Sequence, residues 1–126
     1  MKELTRAEEQ VMQILWRIKK GYVTDFLDYF PDPKPAYNTV STIIRILEKK
    51  GFIDHESAGK SHIYYPIVSK SDYTKHSLSQ LVKGYFSNSY KQMVSFFSED
   101  DNLSIKDLEE MKALIDKKIQ NKKDHD

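Results

Sequence analysis

Cysteine is absent from the chain, which excludes disulfide staples and thiolate metal sites and points to a reducing compartment. No apolar run approaches the roughly 20 residues that a membrane-spanning helix needs, and the residues after Met1 are charged and amphipathic rather than signal-like. A cytoplasmic protein without membrane insertion is the expectation. A large excess of one charge is missing too: 20 Lys and Arg face 19 Asp and Glu, a net charge of +1. Residues 1–70 carry 11 basic against 9 acidic side chains and residues 71–126 carry 9 against 10. That asymmetry is too small to argue for a nucleic-acid partner, so the placement of the charges has to decide.

Catalytic patterns are lacking as well. His55, His62, His76 and His125 show no metal-ligand spacing; His55 and His62 can meet across a hairpin, which reads as plain surface. The stretch "SAGKS" lacks the spaced first glycine and the following helix of a phosphate loop. Glu8, Glu9, Glu109 and Glu110 fall in first turns or on exposed faces, where the helix dipole and solubility account for them. The expectation is therefore a protein that is not an enzyme and uses neither metal nor cofactor.

What is present is helical periodicity, interrupted once. With 126 residues, 39% of them hydrophobic, the chain can bury only a modest core unless a partner adds surface. Thr5 and Glu8 have capping-box spacing, and Ala7, Val11, Ile14, Leu15 and Ile18 follow at helical intervals up to Gly21; Trp16 belongs in the core beside Leu15. Thr24 is a candidate N-cap for a short second helix carrying Phe26, Leu27 and Phe30, which Pro31, Pro33 and Pro35 end. A third helix runs from about Tyr37 to Lys50 and stops at Gly51. Ile53, Ile63, Tyr65 and Ile67 then alternate with polar residues around Gly59, which predicts a β-hairpin whose second strand is limited by Pro66. After Ser69 three helical stretches return, the last with Ser104 and Asp107 as a capping box and Leu108, Met111, Leu114, Ile115 and Ile119 as an apolar stripe. The closing "NKKDHD" has nothing to bury and is expected to fray.

Helix, helix, helix, hairpin within about 70 residues is the order of a winged helix. The fold class is thus mainly α with a small β-hairpin wing. Residues 1–70 form an N-terminal winged helix-turn-helix, and residues 71–126 form a C-terminal three-helix dimerisation region with a frayed tail. Three short amphipathic helices cannot make a globule alone, so a second copy is expected to complete their core.

The third helix divides into two faces. At about 100° per residue Val40, Ile43, Ile44 and Leu47 share one arc, while Asn38, Thr42, Arg45 and Lys49 lie opposite, with Ser41 beside them. Asn and Arg can make bidentate contacts to adenine and guanine edges, Thr offers a hydroxyl and a methyl, and Lys pairs with phosphate. Helices that merely meet solvent mix in acids, yet Glu48 is the first acid here and stands off the centre of the displayed face. Tyr37 is a candidate for stacking on the sugar-phosphate backbone. Lys60 and Ser61 at the hairpin tip, and Arg17, Lys19 and Lys20 at the end of the first helix, are candidates for phosphate contacts.

The stretches "LTRAEEQVMQILW", "AYNTVSTIIRILEKKGFI", "GKSHIYYPIVSKSDY" and "LSIKDLEEMKALID" together resemble successive motifs of the BlaI/MecI/CopY family of bacterial repressors, the penicillinase-repressor type. The resemblance spans Leu4 to Ile115. It implies a homodimeric, sequence-specific transcriptional repressor on double-stranded operator DNA, a palindrome of TACA/TGTA half-sites. Thr39 and Thr42 match the family's Thr-x-x-Thr, with Asn38 and Arg45 at neighbouring variable positions. Ile46 stands where the family often has arginine, and Asn88 where it often has glycine.

Regulation is where the chain departs from these relatives. Copper-responsive members use a terminal cysteine cluster, which this chain lacks. Antibiotic-responsive members are cleaved at an Asn-Phe bond, and the aligned residues here are Phe96 and Phe97. The Asn-Phe bond itself is thus absent: Ser95, Phe96 and Phe97 are a candidate cleavage region for a membrane sensor protease, and dimer core is the favoured reading of the two phenylalanines. Leu78, Leu81, Val82, Phe86, Met93, Val94, Phe97, Leu108, Met111, Leu114 and Ile115 are the dimerisation candidates. Two other readings stand beside the repressor: a winged-helix protein-interaction module, for which Ile46 is the only apolar candidate on the displayed helix face, and a small-molecule-responsive regulator.

Overall fold

The computed structural model describes residues 1–126. Six helices and one hairpin occur in the order α1 (Arg6–Ile18), α2 (Val23–Leu27), α3 (Tyr37–Lys49), β1 (Ile53–Ala58), β2 (Ser61–Pro66), α4 (Lys70–Tyr85), α5 (Tyr90–Ser98) and α6 (Ile105–Asp124). This is a mainly α winged helix with its wing. The chain divides into two compact units, Met1–Leu78 and Ser79–Asp126, so the division falls inside α4 and not at its start.

In the first unit α1 begins as its sequence indicates. Thr5 Oγ1 accepts the Glu8 N–H at 3.2 Å, and the Glu8 carboxylate accepts the Thr5 N–H at 2.9 Å. Each satisfies a backbone donor that the first turn leaves without a helical partner. Glu8 is not an exposed first-turn acid, however. It is buried, 5% exposed, and its carboxylate also accepts from Lys50 Nζ at 2.6 Å. Burial alone pushes the carboxyl up, but the Lys50 ammonium and the Thr5 N–H outweigh burial and hold Glu8 below its ordinary value of 4.5. A depressed carboxyl stabilises the fold above the unfolded value, and this contribution disappears as pH falls through the folded one. Denaturation titrations are therefore expected to show wild-type stability declining below about pH 4.5. Glu8→Gln should lower stability by about 1–3 kcal/mol at pH 7 and flatten that decline; an unchanged acid limb in the variant would contradict the assignment.

The end of α1 departs from expectation. Lys19, with φ 71°, takes the left-handed position, and Gly21 lies beyond the helix in a backbone bridge: its N–H donates to Tyr64 O at 3.0 Å and its O accepts from Tyr64 N at 2.8 Å. The requirement for glycine there is space. A Cβ on Gly21 would lie 2.9 Å from Ile18 Cδ1 and 3.1 Å from Asp25 Cβ. Gly21→Ala is expected to destabilise by about 1–3 kcal/mol through overpacking, read by urea denaturation; wild-type stability would show that the turn yields freely. The N-cap of α2 is Tyr22, not Thr24, because the Asp25 carboxylate reaches back to accept the Tyr22 N–H at 2.8 Å.

α3 follows the proline turn with Val40, Ile44 and Leu47 fully buried, and Gly51, at φ 84°, closes it. The core of this unit joins these to Val11, Met12 and Leu15 of α1, Phe26 of α2, and Phe52 and Ile53 at the entry to β1. Trp16 is half-buried, as a core-edge residue with one polar tip should be: its Nε1 donates to Val68 O at 2.9 Å and its ring lies 5.8 Å from Tyr73. Tyr73, in the first turn of α4, is buried edge-on against Phe52.

The hairpin reverses the face expected of its second strand. Its register pairs Ile53 with Pro66, His55 with Tyr64 and Ser57 with His62, and directly opposed residues share a face. Tyr64 therefore joins the side of buried Ile53 and is itself buried, while Ile63 and Tyr65 fall on the other side and Ile67 is exposed. The run "IYYPI" is apolar in both phases, so only pairing with β1 and the bridge to Gly21 select one.

In the second unit Ser89 caps α5 by accepting the Gln92 N–H at 3.1 Å, and Ser104 and Asp107 form the expected capping box of α6. Ser87 and Asn88, at φ 51° and 61°, turn the chain after α4; Asn tolerates this left-handed region better than most residues. The tail differs from expectation, since α6 continues through Asp124 with Lys122 and Lys123 in its last turn, where the helix dipole favours cations. Neither α5 nor α6 has a buried residue.

Candidate nucleic-acid interface

Three elements of the first unit frame the displayed side of α3. Buried Val40, Ile44 and Leu47 fix the rotation of the helix, which leaves Asn38, Thr42, Arg45 and Lys49 exposed along the opposite side. Thr39 is also exposed, on the flank next to Pro31, Pro33 and Pro35. Tyr37, 51% exposed, and half-buried Ser41 occupy the other flank, toward the wing. The polar groups on this face are occupied only locally: Thr42 Oγ1 donates to Asn38 O at 2.8 Å, and Arg45 donates to Ser41 Oγ at 3.1 Å. Both bonds are solvent-exposed and can be exchanged for a ligand's acceptors.

Between α3 and the wing lies a cleft of about 400 Å³, lined by Tyr22, Val23, Thr24, Tyr37, Ser41, Lys60, Ser61, His62 and Tyr64. None of these is acidic, and most offer a hydroxyl, ammonium or imidazole donor. Burial pushes the Tyr64 phenol up, with the Glu48 carboxylate adding to it, so its hydroxyl stays neutral. Sequence reasoning found Tyr37, Ser41, Lys60 and Ser61 but missed Tyr22, Thr24 and His62. Only the Gly21–Tyr64 bridge brings the start of α2 to the wing, and no periodicity signals a bridge of that kind.

The basic residues at the end of α1 are less available. Arg17 lies over the Tyr29 ring, 4.8 Å from its centroid, and Lys20 pairs with Glu56 at 2.9 Å. Lys60 at the wing tip has no such partner and is exposed. Ile46, 41% exposed, adjoins Thr42, Arg45, Glu48 and Lys49 in a shallow groove of about 580 Å³.

A donor-rich helix face beside an acid-free cleft and a wing is the arrangement of a DNA-reading winged helix. The family model for the penicillinase repressor matches residues 4–117, which takes in both units. The chain belongs to the penicillinase repressor family. That makes it a DNA-binding transcriptional repressor. It is 29% identical over 117 residues to the methicillin resistance regulatory protein MecI of Staphylococcus aureus (strain N315), covering 92% of this chain and 95% of the relative. It is 26% identical over 125 residues to the penicillinase repressor of Bacillus licheniformis, covering 97% and 96%. Such coverage means that the C-terminal helices belong to the family pattern as much as the winged helix does.

The dimerisation candidates divide by burial. Val82 is fully buried within the single chain, so it packs the chain itself and has no surface to offer a second copy. Leu78, Leu81, Val94, Leu108, Leu114 and Ile115 are exposed, and Phe86, Met93, Phe97 and Met111 are half-buried. Ser95 and Phe96 are exposed within helical α5, and Phe96, 71% exposed, makes a tilted contact with Phe86 at 5.6 Å.

Proposed function

We propose that this penicillinase-repressor family member is a homodimer that recognises a palindromic operator of TACA/TGTA type, with α3 entering the major groove of each half-site. The observation that carries this reading is the two-sidedness of α3: three fully buried aliphatics on one side, and Asn38, Thr42, Arg45 and Lys49 exposed on the other with no acid among them. Asn38, Thr42 and Arg45 are the base readers, Lys49 and Lys60 the phosphate contacts, and Thr39, Tyr37 and Ser41 the flanking positions. The second unit supports the dimer. Val82 is its one buried apolar residue, whereas Tyr85, Phe96, Ile105 and Leu114 are each at least 70% exposed. Apolar surface on that scale is unusual for a monomer and fits a self-complementary twofold interface.

For release from DNA, the family resemblance points to a sensor protease cutting near Ser95–Phe97. Such a cut requires α5 to open, because these residues are helical. Ile46 and its groove favour the second reading, a protein-interaction module. Electrophoretic retardation of a TACA/TGTA palindrome against a scrambled duplex of equal length tests the proposal at fixed salt. Selective retardation of the palindrome is expected; equal retardation of both, or none, would favour the interaction module.

A further inference from the structure

Where the last turn of α3 meets β1, Glu48, Asp54 and His55 bring one ligand atom each to within 4.8 Å of one another. We propose that these three side chains hold a divalent transition cation of the zinc class, which ties the recognition helix to the wing. The donor set is chemically apt, since an imidazole nitrogen with two carboxylates suits first-row divalent ions. Ligand atoms around such an ion stand about 3.4 Å apart for bonds near 2.1 Å, so modest side-chain rotation, chiefly of exposed Asp54, closes the site. His55 Nδ1 already meets the Glu48 carboxylate. On binding, the cation takes the place of the hydrogen between them, and the neutral imidazole carries its hydrogen on Nε2.

Two further observations favour a cation. Neither Glu48 nor Asp54 has a lysine or arginine within salt-bridge distance, whereas Glu8 and Glu56 both do. Glu48, whose one basic partner is His55, also borders the groove with Thr42, Arg45 and Lys49, so its carboxylate stands beside a face that has to approach polyanionic DNA. In addition, the His62 ring lies parallel to that of His55, with centroids 4.0 Å apart and planes 6° from parallel. The stack places a further nitrogen donor beside the site. Glu48 and His55 stand seven positions apart, across the end of a helix and the start of a strand, so no ligand spacing is visible in the sequence.

Calorimetric titration of the free full-length protein with zinc chloride is expected to show one ion taken up per chain. His55→Ala and Asp54→Asn should each weaken uptake at least tenfold, and His76→Ala and His125→Ala should leave it unchanged. Uptake that survives His55→Ala, or is absent at micromolar zinc, would overturn the site. Independently of any variant, Mn²⁺ added to wild-type protein should broaden the amide resonances of Glu48, Asp54 and His55 first; broadening centred elsewhere would overturn it equally. The regulatory half rests on operator reading through α3: by neutralising the carboxylates, zinc should tighten retardation of the palindrome severalfold, and less so in Asp54→Asn. Retardation identical with and without zinc would overturn that coupling, while failure of operator binding altogether would leave the zinc titration of the free protein unaltered.

Discussion

Replacing both Thr42 and Arg45 by alanine is expected to abolish discrimination between the TACA/TGTA palindrome and a scrambled duplex. Each well-placed base contact contributes about 1–3 kcal/mol of discrimination, so the pair accounts for about 2–6 kcal/mol per half-site. Folding should be unaffected, because both side chains are exposed and their hydrogen bonds in the free chain stay within their own helix. Non-specific binding should persist with a weaker salt dependence, since one cation is lost from each α3. Fluorescence anisotropy on both duplexes at matched salt measures the effect, and a double variant that still prefers the palindrome would sink the assignment of α3 as reader.

A comparable effect is expected at the far end of the chain. Leu114→Ser with Ile115→Ser should convert the protein to a monomer and weaken operator binding by about 100-fold or more, because two linked heads gain an effective concentration that two separate ones lack. Leu114 is 70% exposed and Ile115 52% exposed in the single chain, so their replacement removes no contact that the chain needs for its own fold. Sedimentation equilibrium decides the matter. If the variant remained dimeric, the interface would have to lie elsewhere, among Leu81, Tyr85 or Phe96.

Zinc at the proposed site of Glu48, Asp54 and His55 acts between these two extremes. It would alter how firmly α3 and the wing present themselves without touching the base readers. The cleft bounded by Lys60, His62 and Tyr37 adjoins the paired wing strand β2, so a change in the wing would be felt at the proposed phosphate contacts first.

Much of the fold could be read directly from residue order, because local chemistry acts over three or four residues. Thr5 with Glu8 and Ser104 with Asp107 cap their helices as their spacing indicates. The buried arc of α3 follows from a 3.6-residue period, and its polar side follows as the remainder. The departures occur where long-range pairing overrides local pattern. Glu8 reads as an ordinary first-turn acid until the fold delivers Lys50 to it from 42 residues away. Tyr64 rather than Ile63 or Tyr65 turns inward because β1 and Gly21 set the register of a strand whose sequence permits either phase.

Sequence alone thus determined the order of the elements, the core face and exposed polar face of α3, and the family, since each depends on periodicity, capping or short motifs. Tertiary structure alone decided which strand face is buried and that Tyr22, Thr24 and His62 share a cleft with α3. It also decided that Val82 serves the chain's own packing and that Glu48 meets Asp54 and His55. The physical reason is common to all four: each is a meeting of side chains or backbone across turns and strands, fixed by burial and hydrogen bonding in three dimensions, and no one-dimensional spacing encodes such a meeting.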